Sequence, residues 1–359
     1  MMQAADLFMK NDIGRQPDIL CGLSPRLAVL HDRAATVAAD GPAGGVWVIG
    51  CGDGLFAAEA VAQTARQAGL NWQAVGPMDL LVEPDRVQPG DVAVLMSMSG
   101  NVDRTVEAAQ LVRDRGCRLL AIVNGDGGRL AQLVPDRWSM DLADLAPFLC
   151  GTSSFAATLA ALLAVISGLS GRAHIDLGDS AAAMAAANSA ADRMMTGIDL
   201  NAITGLRYLA SGATLGLARY GAAKCVEVAA RPVWTAELEE FAHSQFWTMS
   251  PCDLVVLIAT CATEADYADA SADALAQMGT RTLALDCDDA PVTRATLRLT
   301  VPQAGPAGLC HLPGLQHLAY AVGTADGLDP NRRLHLKADK TRFRTSRMLT
   351  RRSLLGTGT

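Results

Sequence analysis

Three sequence anchors recur at a nearly constant offset. Gly52 in VIGCGDG is answered by Gly212 in LASGATLG, 160 residues on. Asp91, which opens DVAVLMS, is answered by Asp253 of DLVVLIA at 162 residues, and Gly116 of GCRLLAIVN by Gly279 of GTRTLALDC at 163. A period that long, carrying strand, loop and helix signals together, requires two copies of one fold in tandem. Within each copy, apolar runs end in small residues and lead into helical patterns. Val46 to Ile49 leads into the tight loop Gly50 to Gly54 and then an amphipathic helix, and DVAVLM leads into Ser97 to Gly100 and another helix. This alternation predicts an α/β chain of two doubly wound parallel sheets. The expected layout is a helical N-terminal segment over 1–35, a first domain over 36–175, a second over 176–330 opened by an Ala-rich helix from Asp179 to Met195, and a C-terminal segment over 331–359.

Composition narrows the function classes. Half the residues are apolar, 19% are charged and aromatics are few, which suits tightly packed α/β layers. The longest apolar run, Phe155 to Gly171, is too short to span a bilayer, and MMQAADLFMKND lacks a basic-then-apolar leader pattern. A cytoplasmic protein with no membrane partner is expected. Nine cysteines are scattered singly with no CxxC, so they read as small buried hydrophobes in a reducing compartment. No metal or redox cofactor is expected. Residues 331–359 hold nine Lys or Arg against one Asp, a formal +8, which leaves the rest of the chain at −15. An acidic body argues against nucleic acid as a partner, and the basic tail reads as a solvated segment or a contact for an anion.

Ligands of such sheets bind beyond the carboxyl ends of the strands, at helix N-termini. The loop Ser97-Met98-Ser99-Gly100 is suited to gripping an anion; the plainer reading is a Ser-rich cap on the following helix. Gly50, Gly52 and Gly54 form GxGxG, but Leu55 stands at the position a dinucleotide fingerprint needs, and the run Trp72 to Val75 does not end on an acid. Lys224 and Glu227, three apart, share one helix face. With His243 and Lys337 they make a set that aldose–ketose chemistry needs. An imidazole protonates the ring oxygen, a carboxylate carries a proton between adjacent carbons, and an amine holds an oxyanion or a Schiff base. Taken singly, the same residues read as a surface ion pair and a structural histidine.

On these motifs the chain resembles the sugar isomerase (SIS) family, in particular the tandem-SIS isomerase half of glucosamine-6-phosphate synthase with its deaminase and deglycase relatives. MKNDIGRQPDIL resembles the family's opening segment, SMSG its phosphate loop SxSGxT, GAAKCVE its lysine and proton-shuttle helix, and EEFAH its E-x-x-H segment. His243 follows Glu227 by sixteen residues, and PGLQHLAYAVGTADGLDPNRRLHLK resembles the closing stretch that ends at Lys337. The resemblance implies catalytic roles for Glu227, His243, Lys337 and Lys224, and ligand contacts at Ser97, Ser99, Gly52, Asp53, Gly100 and Glu240. It also implies a homodimer in which the histidine segment completes the neighbouring subunit's site. The activity implied is a phosphosugar isomerase or amino-sugar-phosphate deaminase, needing no cofactor. A deglycase of an amino-acid–sugar phosphate conjugate and a non-catalytic sugar-phosphate-binding protein are the alternatives. The chain departs from the pattern at Asp53 and Gly54, at Val102, at Gly151, and at Ser244-Gln245 after the histidine. These changes thin the hydroxyl donors and add an acid, which either caps a helix or faces sugar hydroxyls or an ammonium. The tail arginines Arg342, Arg344, Arg347, Arg351 and Arg352 would add positive charge to an anionic substrate if the segment folds back.

Overall fold

The computed structural model describes residues 7–39, 41 and 44–350. The apolar runs fold into two sheets, each of five parallel strands. The first sheet contains β1 Val46–Gly50, β2 Trp72–Val75, β3 Val92–Ser97, β4 Arg118–Val123 and β5 Arg137–Ser139, in the order β2-β1-β3-β4-β5. The second contains β6 Leu206–Ala210, β7 Val233–Glu237, β8 Leu254–Ile258, β9 Arg281–Cys287 and β10 Leu297–Val301, in the order β7-β6-β8-β9-β10. The two orders are the same, with the second strand outermost beside the first. Each has its switch point where the winding reverses, between β1 and β3 and between β6 and β8, and a crevice opens there beyond the strand ends. Every residue of β1, β3, β6 and β8 is buried, because helices cover both faces of a parallel sheet. This is why these strands read as unbroken apolar runs.

The chain packs as two compact units that interleave in sequence. Among the described residues, one comprises Leu23–Ala143, Ala157–Asp176 and those from Leu336 onward, and carries the first sheet. The other comprises those up to Gly22, Asp144–Ala156 and Leu177–His335, and carries the second. This division differs from contiguous spans over 36–175 and 176–330. The N-terminal helix Phe8–Gly14 and the segment around Gly151 belong with the second sheet, held by polar contacts described below. The Ala-rich helix runs Gly178–Thr196, as its pattern predicts. The apolar run near Phe155 lies in the helix Ser153–Leu169, which is buried on all sides from residue 155 to 168. Among the described residues no helix is long and apolar enough to cross a membrane.

The repeated anchors do the same work in both units. Gly52 and Gly212 both sit at φ +55°, in the turn between the first strand and its helix. Gly116 (φ +79°) and Gly279 (φ +73°) each end a helix ahead of the fourth strand. A side chain at these angles is strained against its own backbone, so glycine is strongly favoured. Asp91 accepts from Gln88 N at 3.0 Å and from Trp47 Nε1 at 2.8 Å on β1. Asp253 accepts from Ser250 N at 3.2 Å and from Arg207 Nε at 3.1 Å on β6. Each buried carboxylate therefore closes the turn three residues before it and ties the third strand to the first.

Candidate active site

The helix Thr214–Val228 follows β6 and presents Lys224 and Glu227 on one face. Lys224 is 1% exposed, and its Nζ donates to Glu227 Oε1 at 2.6 Å. The ammonium also lies over the Tyr220 ring, 5.3 Å from its centre. The second carboxylate oxygen of Glu227 accepts from the guanidinium of Arg333. Arg333 donates further to the carbonyls of Phe148 and Leu149, both at 2.8 Å, and stacks on the Phe148 ring at 4.3 Å. Phe148 (φ +65°) and Arg333 (φ +49°) are both left-handed without being glycine, a conformation that costs about 1 kcal/mol or more per residue. Burial alone would push the Glu227 carboxyl up. Lys224 and Arg333 outweigh it and hold the group below the usual carboxylate range, so Glu227 is ionised at neutral pH.

The loop that receives Arg333 is fixed from the N-terminal helix. Asp12 is 3% exposed and accepts from the Thr152 hydroxyl, from Ser153 N at 2.8 Å and from Ser153 Oγ at 2.9 Å. Arg15 pairs with the same carboxylate at 2.6 Å. Gln16 Nε2 donates to Gln316 Oε1 at 2.7 Å, Gln316 Nε2 to the Tyr220 hydroxyl at 2.9 Å, and that hydroxyl to Gly151 O at 3.0 Å. Tyr220 and Phe155 are stacked 3.6 Å apart. Three segments far apart in sequence thus converge behind the Lys224–Glu227–Arg333 cluster. Sequence reasoning had not singled out Arg333 or Asp12, whose partners lie 106 and 140 residues away.

In the unit of the first sheet, Ser97 ends β3 and Ser99 and Gly100 form the turn beyond it. Gly100 stands at φ +62°, and a Cβ there would lie 3.0 Å from Gly128 Cα. Ser99 Oγ accepts from Asn101 N at 3.2 Å. Neither serine caps the following helix Asp103–Asp114, whose N-cap is Val102 with no side-chain cap bond. Ser97 Oγ is buried with no hydrogen-bond partner, which leaves a hydroxyl available at the strand's carboxyl end. The turn after β1 lies on the neighbouring strand. There Gly52 is the N-cap of the helix Asp53–Ala60 and Asp53 is its first residue, so Asp53 is not a cap. The two candidate loops flank the switch point of this sheet.

His243 and Glu240 lie on the helix Leu238–His243, whose N-cap Glu237 accepts from the N–H groups of Glu239 and Glu240. Burial would push the Glu237 carboxyl up, but hydrogen bonds from Ser211 and from the peptide N–H groups of Glu240, Glu239 and Leu238 outweigh it and keep the group below the usual carboxylate range. His243 Nε2 meets Glu239 Oε1 at 3.0 Å, and the imidazole is 68% exposed. The structure brings Glu227 together with Lys224, while His243 pairs on its own helix. Lys337 is exposed on the helix Leu334–Ala338. Arg342, Arg344 and Arg347 lie on the exposed helix Lys340–Thr350; Arg351 and Arg352 fall outside the described residues. Among the described residues no three His, Cys, Asp or Glu side chains are grouped to hold a metal ion.

Residues 42–168 match the model of the SIS domain. A stretch of 48 residues is 40% identical to the phosphoheptose isomerase of Aromatoleum aromaticum, covering 13% of this chain and 24% of that protein. The whole fold is similar to solved structures of low identity. The tagatose-6-phosphate ketose/aldose isomerase of Escherichia coli superposes with a TM-score of 0.80 at 19% identity, over 93% of this chain and 96% of that one. The C-terminal domain of the glucosamine-fructose-6-phosphate aminotransferase of Francisella tularensis gives 0.75 at 16% identity, over 91% and 98%. The glucosamine-6-phosphate deaminase of Thermotoga maritima gives 0.70 at 16% identity, over 89% and 97%. At these identities the likeness establishes the tandem α/β fold.

Proposed function

We propose that the protein is a phosphosugar isomerase or amino-sugar-phosphate deaminase in which Glu227 moves a proton between neighbouring carbons of an open-chain sugar phosphate. The observation that carries this reading is the Glu227 carboxylate held between Lys224 and Arg333. A carboxylate kept ionised by two cations is a base at neutral pH, and the same cations steady the negative charge that develops on an enediolate. Glu227 takes the proton from C2, exchanges part of it with solvent, and delivers a proton at C1, so the carboxylate is regenerated within the turnover. His243 protonates the ring oxygen as the ring opens, Lys337 polarises the carbonyl, and Glu240 accepts from a sugar hydroxyl. Ser97, Ser99 and Gly100, with Gly52 across the switch point, anchor the phosphate. Asp53 suits a substrate that carries an ammonium group, which favours an amino sugar. The exposure of His243 supports its delivery to a second subunit in a homodimer with shared sites.

The names of the solved relatives, a ketose/aldose isomerase and a deaminase acting on 6-phosphates, support the substrate class. The test is a matched screen of hexoses and amino sugars with and without a 6-phosphate, read by melting temperature and by turnover. Stabilisation confined to phosphorylated members, amounting to about 2.7 kcal/mol at one hundred times Kd, is expected, together with turnover of the best binder. Equal stabilisation by unphosphorylated sugars would contradict the phosphate loop. Binding of a phosphorylated sugar without turnover would leave a sugar-phosphate-binding protein and reject the enzyme.

A further inference from the structure

A second cavity of about 320 Å³ lies in the unit of the second sheet, between the helices Phe8–Gly14, Gly178–Thr196 and Leu312–Ala325. Its walls are mainly apolar, with Met195, Ile198, Leu200 and Ala321 among them. Its lining also carries Thr196, Asn201 and Thr324 and a group of three ionisable side chains. Lys10 Nζ and Asp192 Oδ1 are 2.6 Å apart, and His317 Nδ1 is 3.5 Å from the same carboxylate oxygen. Lys10 also lies over the Tyr320 ring at 5.2 Å. His317 is 3% exposed and its Nε2 is held by Asn188 Oδ1 at 2.7 Å. An apolar cavity with a few convergent polar groups, at the small end of the usual volume range, is the form of a small-molecule site.

The charges define what such a ligand must carry. A lone anion at Lys10 would meet Asp192 beside it, and a lone cation at Asp192 would meet Lys10. A molecule bearing both charges on adjacent atoms satisfies both. We propose that this cavity binds a small zwitterion with an apolar side chain, that is, a free α-amino acid of leucine-like size. Its carboxylate replaces Asp192 as the partner of Lys10, its ammonium replaces Lys10 as the partner of Asp192, and its side chain fills the space bounded by Met195, Ile198 and Leu200. The imidazole of His317, neutral because it is buried, accepts or donates one hydrogen bond without adding charge. This site uses none of the residues assigned to sugar chemistry, and the inference does not rest on that assignment. Lys10 stands two residues before Asp12, and His317 follows Gln316, on the two helices that brace the Gly151 loop.

The experiment is isothermal titration of the full chain with L-leucine, 4-methylpentanoate (no ammonium) and 3-methylbutylamine (no carboxylate). Leucine is expected to bind at least tenfold more tightly than either single-charge analogue. Lys10→Met and Asp192→Asn should each abolish leucine binding. Ala321→Leu, which fills the cavity and leaves the charges in place, should abolish it too while the melting temperature stays near that of the wild type. The proposal is overturned if the single-charge analogues bind as well as leucine, if leucine binding survives Ala321→Leu, or if 10 mM leucine gives no heat.

Discussion

Replacing Arg333 with methionine removes one of the two cations that hold Glu227 and all the donors that hold the Phe148–Leu149 turn. The side chain makes three hydrogen bonds: to the Glu227 carboxylate and to the two carbonyls at 2.8 Å each. Hydrogen bonds involving a charged group contribute about 1.5–3 kcal/mol each, and breaking a buried ion pair costs about 3–5 kcal/mol. The Glu227 side chain is 30% exposed, so water recovers part of that loss. A net destabilisation of about 2–4 kcal/mol results, and at roughly 2–4 °C per kcal/mol for a unit of this size the melting temperature falls by about 5–15 °C. The same change raises the Glu227 pKa toward the ordinary carboxylate value, because one of the charges lowering it is gone. In a pH series of kcat/KM on the best sugar phosphate, the acid limb should move to higher pH. Arg333→Lys keeps the charge but not the fork that reaches two carbonyls, so it should restore the acid limb and only part of the stability. If Arg333→Met melts within 2 °C of the wild type and leaves the acid limb in place, the account of the cluster is wrong.

Other consequences follow from the same geometry. Asp12→Asn loses the ion pair to Arg15 and at least one acceptor position for Thr152 or Ser153, so it should cost about 2–3 kcal/mol, with limited proteolysis shifting toward the 148–153 loop. Burial pushes His311 and His317 each down to about 4 from an ordinary 6.5. The unfolded chain therefore binds more protons across that window. The contribution of each neutral ring is full above pH 6.5 and falls by about 3 kcal/mol as the pH drops to 4; urea unfolding at pH 7 and pH 4.5 measures it, and His317→Gln should flatten the dependence. His243→Ala removes an exposed imidazole, so the melting temperature should stay within about 2 °C, while turnover of ring-closed substrate should fall by about 10²–10⁴.

The fold was readable where a residue's local backbone forces its identity. Gly52, Gly212, Gly116 and Gly279 hold positive φ, and Asp91 and Asp253 close turns three residues before them, so the repeat survives in sequence. Central strands were equally plain because burial on both faces leaves unbroken apolar runs. The strands β5, β7 and β10 were not read, since each is an edge strand only partly buried and lacks such a run. Lys224 and Glu227 were visible as a pair because they are one helical turn apart. Arg333 was not, because it is one of two adjacent arginines in a basic stretch and its three partners lie more than one hundred residues away. The interleaving of the units was hidden for the same reason. Asp12 carries no local sign that it will bond Thr152 and Ser153.

Proton exchange at the sugar carbons reports on the Glu227 shuttle without depending on any other residue's role. The protein is incubated in D₂O with a hexose 6-phosphate or amino-sugar 6-phosphate that binds it, and deuterium at C1 and C2 is followed by NMR. The wild type should incorporate deuterium, and Glu227→Gln should lose about 10²–10⁴ in rate with binding retained. Incorporation at wild-type rate by Glu227→Gln, or none by a wild-type protein that binds the sugar, would rule out Glu227 as the proton shuttle.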